Sequence, residues 1–398
     1  MIRGEWVLEL ARALIEAPSP NPPGDERSVA GLLIDALEQR GLPRPQVIAK
    51  EPERPNLLTT IDFGPGGRHL CLCGHMDTKP VGAADWSTDP FEGVVDGTRL
   101  YGLGSCDMKG ALAAMIEAAA STDLGRGRLS LLFTADEENA ALFGARFLAE
   151  SDSLEADSAV IGEPGGIDAD WDQLHVLSRG IANLSIRVLG DQGHSSLSDR
   201  KPMINASVNM ARLLTAFAEG FRPSAPNHPL GATPTVNAGV KVEGGVNFGV
   251  HPGEAGFSAD VRTIPGMERD VFEAELEGWL QEQCSKIPEL RARIEFEPEP
   301  RAWLPPTEVA PDAPVATAAA AALEQTFGIV PPLSAFPGTT DAAWIQGLAG
   351  IPTLPALGPG LLERAHSRDE FIDLDALAVA ADVYALVAKH FCAREEIQ

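Results

Sequence analysis

Histidine and acidic residues recur just past the ends of short apolar runs. His75 and Asp77 follow a run ending at Cys73, Asp136-Glu137-Glu138 follow Leu129 to Thr134, and Glu163 follows Ala159 to Ile161. If those runs are strands of one parallel sheet, the groups meet in the crevice outside its carboxyl ends, where open α/β sheets bind ligands. Five or more carboxylates gathered there cannot all stay ionised without cations, so either their pKa values rise or metal is bound. Histidine with carboxylate oxygens and no paired cysteine suits a catalytic zinc, cobalt or manganese site better than a structural cysteine-rich one. Singly, each residue has a plainer reading. His75 can be a strand-end histidine bonded to backbone, Asp107 the N-cap of a helix starting at Met108, and Glu137 and Glu138 the acidic start of a helix.

The elements that must position these groups alternate through the first 180 residues. Val29, Leu32, Leu33 and Leu37 share one helical face, which stops at Arg40-Gly41. His69 to Cys73 reads as a buried strand, Val94 to Tyr101 as a hairpin turning at Asp96-Gly97, and Leu129 to Thr134 as another apolar strand. Met108 to Thr122 carries Leu112, Met115, Ile116 and Ala119 on one stripe, as a helix would. The fold class is therefore α/β, a mostly parallel sheet with flanking helices.

Past Ser178-Arg179-Gly180 the pattern changes, and Leu184, Ile186 and Val188 alternate with polar residues as in a sheet with one wet face. Helices over about 204–217 and 267–284, with strands around 236–242, 256–263 and 292–296, complete a small α+β unit. A Pro-rich stretch, 297–314, leads back to helices at about 315–327 and 374–390. The expected organisation is a catalytic domain formed by 1–179 and 299–398, with an α+β domain, 180–298, inserted in it.

Composition bounds the partners. The chain has 57 acidic against 31 basic residues and a net charge of −26, which argues against nucleic acid and anionic membranes, since both demand a surplus of cations. No stretch approaches a membrane span. Glu5, Glu9 and Glu16 interrupt the apolar positions of the N-terminus, unlike a signal peptide. The five cysteines, few and odd in number, read as reduced thiols, so a cytoplasmic location is expected.

Gly74-His75-Met76-Asp77-Thr78, Tyr101 through Gly110 with Asp107 inside it, Thr134 through Glu138, and Gly162-Glu163-Pro164 occur in a specific order and spacing. With Gly193-His194-Ser195-Ser196, Asp260-Val261-Arg262, Gly338-Thr339-Thr340-Asp341 and Ala365-His366-Ser367, they resemble the co-catalytic metallohydrolases of the acetylornithine deacetylase, succinyl-diaminopimelate desuccinylase and glutamate carboxypeptidase family. The resemblance covers nearly the whole chain.

What it implies is specific. Asp107 bridges two divalent ions, most readily Zn²⁺ with Co²⁺ or Mn²⁺ as alternatives; His75 and Glu163 complete one site, Glu138 and His366 the other. Three carboxylates against two such ions leave roughly one positive charge, enough to acidify a water. Asp77 orients the His75 ring, and Glu137 is the general base. His194 stabilises an oxyanion, in the family often that of the partner subunit. Arg262 and Asn247 hold the substrate carboxylate, while Gly338 and Thr339 offer it donors. The implied partners are a small amino-acid-derived substrate and a second copy of the chain, joined as a homodimer through the inserted domain.

The implied reaction removes an N-acyl group from an amino-acid-like substrate with a free carboxylate. An exopeptidase of the same family is the alternative, and an inactive relative serving as scaffold or sensor is a third reading. Neither a Gly-x-Ser-x-Gly motif nor an activating partner for Cys106 supports a serine or cysteine hydrolase.

Overall fold

The computed structural model describes residues 3–393. They form two units, one comprising residues up to Ser178 together with those from Thr307 onward, the other Arg179–Pro306. The chain leaves the second unit at Pro306, not at 298, because Trp303–Leu304 still pairs with the sheet of that unit.

The first unit is built on strands β1 (Gln46–Ala49), β2 (Pro55–Asp62), β3 (His69–His75), β4 (Arg128–Thr134) and β5 (Ser158–Ile161), ordered β1-β2-β4-β3-β5 with Thr353–Leu354 at the far edge. β3 runs parallel to both β4 and β5, and Thr353–Leu354 runs parallel to β5, whereas β1 and β2 add antiparallel at the other edge. Every residue of β3 is buried, as a strand covered on both faces requires. Register does the positioning: His75 pairs with Thr134, and Cys73 with Ile161, so the carboxyl ends of β3, β4 and β5 stop at one level.

Helix Gly110–Ser121 buries Leu112, Met115 and Ile116 completely and packs against the last helix, Leu374–Cys392. Each such side chain contributes about 1.5–3 kcal/mol relative to exposure. This helix starts later than the sequence pattern predicts. Asp107 (φ −122°, ψ 89°) and Met108 (φ −140°, ψ 32°) lie outside helical geometry, so Asp107 is not a simple cap but part of a wide turn over Ser105–Lys109. The hairpin Val94–Tyr101 is also shifted: Asp96 pairs with Arg99, which puts the turn at Gly97-Thr98, with Gly97 at φ 59°.

In the second unit an antiparallel sheet contains β6 (Gly180–Leu189), β7 (Thr235–Gly244), β8 (Glu254–Thr263) and β9 (Arg291–Phe296), ordered β7-β8-β6-β9. Alternation along β6 is strict: Leu184, Ile186 and Val188 are buried and their neighbours are partly exposed. Helices Ala206–Gly220 and Arg269–Lys286 supply Phe217, Phe272 and Trp279 to an aromatic cluster with Phe221, Phe257 and Trp303.

Candidate metal centre and active site

His75 ends β3, and its ring is fixed by a bond of 2.9 Å between Nδ1 and the main-chain carbonyl of Asp77. A carbonyl can only accept, so Nδ1 carries the hydrogen and Nε2 of the neutral ring presents its lone pair. That nitrogen faces Asp107 Oδ1 at 2.9 Å and Glu163 Oε1 at 3.4 Å. On the other side of Asp107, His366 Nε2 stands 3.1 Å from Oδ2 and 3.1 Å from Glu138 Oε1. Asp107 thus turns one oxygen to each histidine.

This donor set fits metal. Lone pairs and carboxylate oxygens converge with no hydrogen to place between them unless the rings are protonated, and divalent cations supply the missing positive charge. His75, Asp107 and Glu138, and separately His75, Glu137 and Glu163, each bring ligand atoms within 4.8 Å of one another. The electrostatics agree. Burial opposes a charged His75 and a charged His366, yet hydrogen bonds to Asp107 and its neighbours push His75 well up and His366 to about 11. Burial also acts to raise Asp107, but the two histidines pull it down. Burial and the Asp107 charge lift Glu163 to about 7, and burial with the Glu163 charge raises Glu137 strongly.

The approach of the Asp107 turn to β3 depends on a missing side chain. A Cβ at Gly74, next to His75, would overlap the side chains of Met108 and Leu112. Glu370, itself buried, accepts the main-chain N–H groups of Cys106 at 2.9 Å and Asp107 at 3.0 Å. It stands four residues after His366, so it ties one ligand segment to the other.

Asp77 acts differently from the sequence expectation. Its carboxylate is 3.7 Å from His75 Nδ1, too long for a hydrogen bond, and the ring is oriented by the main-chain carbonyl of the same residue. The carboxylate accepts instead from the N–H groups of Glu137 and Glu138, each at 3.2 Å. Asn21 Nδ2 bridges Asp77 Oδ2 at 2.8 Å and Asp136 Oδ1 at 2.9 Å. Arg54 in turn binds Asp136 at 2.9 Å and Glu26 bidentately at 2.8 Å. The whole network is buried behind the turn that carries Glu137 and Glu138.

The remaining expected residues lie on other segments of the chain. Gly338 and Thr339 precede the short helix Ala342–Ile345 in the first unit, and the segment is anchored by Asp341, which accepts the Thr134 hydroxyl at 2.7 Å. In the second unit His194 is exposed, and its Nδ1 lies 2.9 Å from Ser196 Oγ. Arg262 lies at the end of β8, 3.6 Å from Asp260. Asn247 lies in the loop after β7, where its side chain accepts the N–H of Phe248 at 2.7 Å.

Sequence reasoning missed Asn21, Arg54 and Lys79, and it placed Asp136 at the crevice without giving it a role. Lys79 Nζ sits 2.9 Å from Glu138 Oε2. Only its position two residues past Asp77 could have drawn attention to it.

Residues 71–390 match the model described as Peptidase family M20/M25/M40. The chain is 31% identical over 404 residues to an acetylornithine deacetylase of Photorhabdus laumondii, covering 97% of each. It is 30% identical over 390 residues to a succinyl-diaminopimelate desuccinylase of Methylocella silvestris, covering 95% of this chain and 96% of that relative. The fold is shared with an M20 family metallo-carboxypeptidase from Sulfolobus solfataricus, with a TM-score of 0.74 at 19% identity over 97% of this chain and 99% of that one.

Proposed function

Because the chain belongs to peptidase family M20/M25/M40, hydrolases of amide bonds, we propose that it removes an N-acyl group from an amino-acid-like substrate with a free α-carboxylate. The observation that carries this reading is the paired cluster around Asp107, in a chain matched over nearly its full length by a deacetylase and a desuccinylase. A metallo-exopeptidase is the second reading, favoured by the shared fold with a carboxypeptidase.

In the proposed site His75, Asp107 and Glu163 would hold one divalent ion, and Asp107, Glu138 and His366 would hold the other. Such ions would act as Lewis acids, polarising the scissile carbonyl and acidifying the attacking water; Zn²⁺ suits the donors best, with Co²⁺ or Mn²⁺ as alternatives. Glu137 takes the proton of that water as its oxygen bonds to the amide carbon. It then delivers the proton to the nitrogen as the C–N bond breaks, leaving an amine and a carboxylic acid, which gives up its remaining proton to solvent. His194 donates to the developing oxyanion, Arg262 and Asn247 grip the substrate carboxylate, and Gly338 and Thr339 supply further donors. In a chain of net charge −26, an anionic substrate needs such a local cation.

Dimerisation through the second unit is supported by β7, which lies at the edge of its sheet and exposes Val240 and Val242, and by the fully exposed Phe248 in the following loop. A cytoplasmic location is supported by the five free cysteines. No described helix is long and apolar enough to cross a membrane. Product release measured over N-acetyl, N-succinyl and dipeptide substrates with added Zn²⁺ or Co²⁺ separates the readings. Turnover of the acylated amino acids supports deacylation; turnover of dipeptides alone replaces it with the exopeptidase.

A further inference from the structure

Glu138 is engaged from two sides. Oε1 lies 3.1 Å from His366 Nε2, where Asp107 Oδ2 also converges. Oε2 lies 2.9 Å from Lys79 Nζ, and the same ammonium donates to the main-chain carbonyl of Glu138. The other end of the cluster differs. Glu163 presents Oε1 to His75, and no lysine or arginine among the described residues pairs with it.

We propose that Lys79 is a positioning residue that makes the two ion positions unequal. It occupies Oε2 of Glu138, so that this ligand turns one oxygen only toward His366 and Asp107, and its charge weakens the hold of that end on a divalent cation. The inference rests on the two-ion reading above.

Two effects act in the same direction. A carboxylate already bonded to an ammonium has less negative charge to give a metal. The ammonium also repels a dication, more strongly in a site that excludes water than in bulk solvent. Lys79 is 37% exposed, so solvent screens part of this, and the effect is moderate rather than prohibitive. The end at His75 and Glu163 therefore fills first, and the end at His366 exchanges its ion.

The test is a metal titration of chelator-stripped protein, using Co²⁺ followed by visible absorption and Zn²⁺ by calorimetry, on the wild type, Lys79→Met and Lys79→Arg. Circular dichroism and thermal melting check that each is folded, and Lys79→Gln replaces the methionine variant if that one is not. The wild type should show two unequal affinities. Lys79→Met should tighten the weaker by about tenfold, at the lower end of what groups behind a metal ligand command, with the stronger changed by less than about twofold and Lys79→Arg close to wild type. A structural role alone would loosen binding, not tighten it. An unchanged or loosened weaker site in the folded variant, or equal shifts at both, overturns the inference. A wild type that takes up fewer than two ions overturns the two-ion reading itself, whatever Lys79 does.

Discussion

Asp77 Oδ1 accepts the main-chain N–H of Glu137 at 3.2 Å, so the proposed base is held through its backbone by a buried carboxylate one strand away. The side chain of Glu137 is thereby left free for chemistry while its origin is fixed.

Glu137→Gln tests that arrangement. The backbone contact does not depend on the side chain, so the variant should fold and keep its metal content. Its kcat should fall by about 10²–10⁴-fold, the usual contribution of a positioned proton-transfer group, with little change in KM. Unchanged turnover would reassign the base.

Arg54 is the cation of the network behind the site. Its side chain is 7% exposed and pairs with Glu26 and Asp136, both wholly buried. Arg54→Met leaves two carboxylates without their partner and should cost about 3–5 kcal/mol in denaturant unfolding. Adding Glu26→Met should recover part of the loss. A single variant within about 1 kcal/mol of wild type would show that the network contributes little.

His175 gives the stability a pH dependence of known sign. It is buried, with Nε2 2.8 Å from the Gly165 carbonyl and Nδ1 2.9 Å from Ser334 Oγ, and burial lowers its pKa despite that carbonyl. Unfolded chain binds a proton at this histidine below about pH 6.5, where the folded chain does not yet do so. Its contribution is therefore present above that pH and is lost as pH falls, with a slope of up to about 1.4 kcal/mol per unit. The stability gap between wild type and His175→Gln should be constant above about pH 7 and shrink below pH 6.5. A gap independent of pH from about 5 to 8 contradicts the buried neutral ring.

Arg262→Ala should mainly raise KM, by about 10–100-fold, for substrates with a free carboxylate, and should not affect the corresponding amides. Equal loss for both would remove the proposed recognition role.

Much of the site is legible in the amino-acid sequence. Apolar runs as pure as Leu129 to Thr134 mark buried parallel strands, and the residues just past their ends face the crevice, so His75, Glu137, Glu138 and Glu163 stand out by position. His366 does not. It sits in a loop at φ 59°, and only the family resemblance singles it out. The support shell is invisible for a different reason. Asn21 meets Asp136 across 115 residues and Arg54 meets it across 82, and nothing local marks a polar side chain whose partner is that distant. Lys79 reads locally as a solvated lysine, and its meaning emerges only once Glu138 is beside it.

Metal content read against activity tests the central claim most directly. Chelator-stripped protein should release no acyl group from an N-acyl amino acid, and activity should return as Zn²⁺ or Co²⁺ is added, levelling off at about two ions per chain. Full activity in protein shown by elemental analysis to be free of metal would contradict the account.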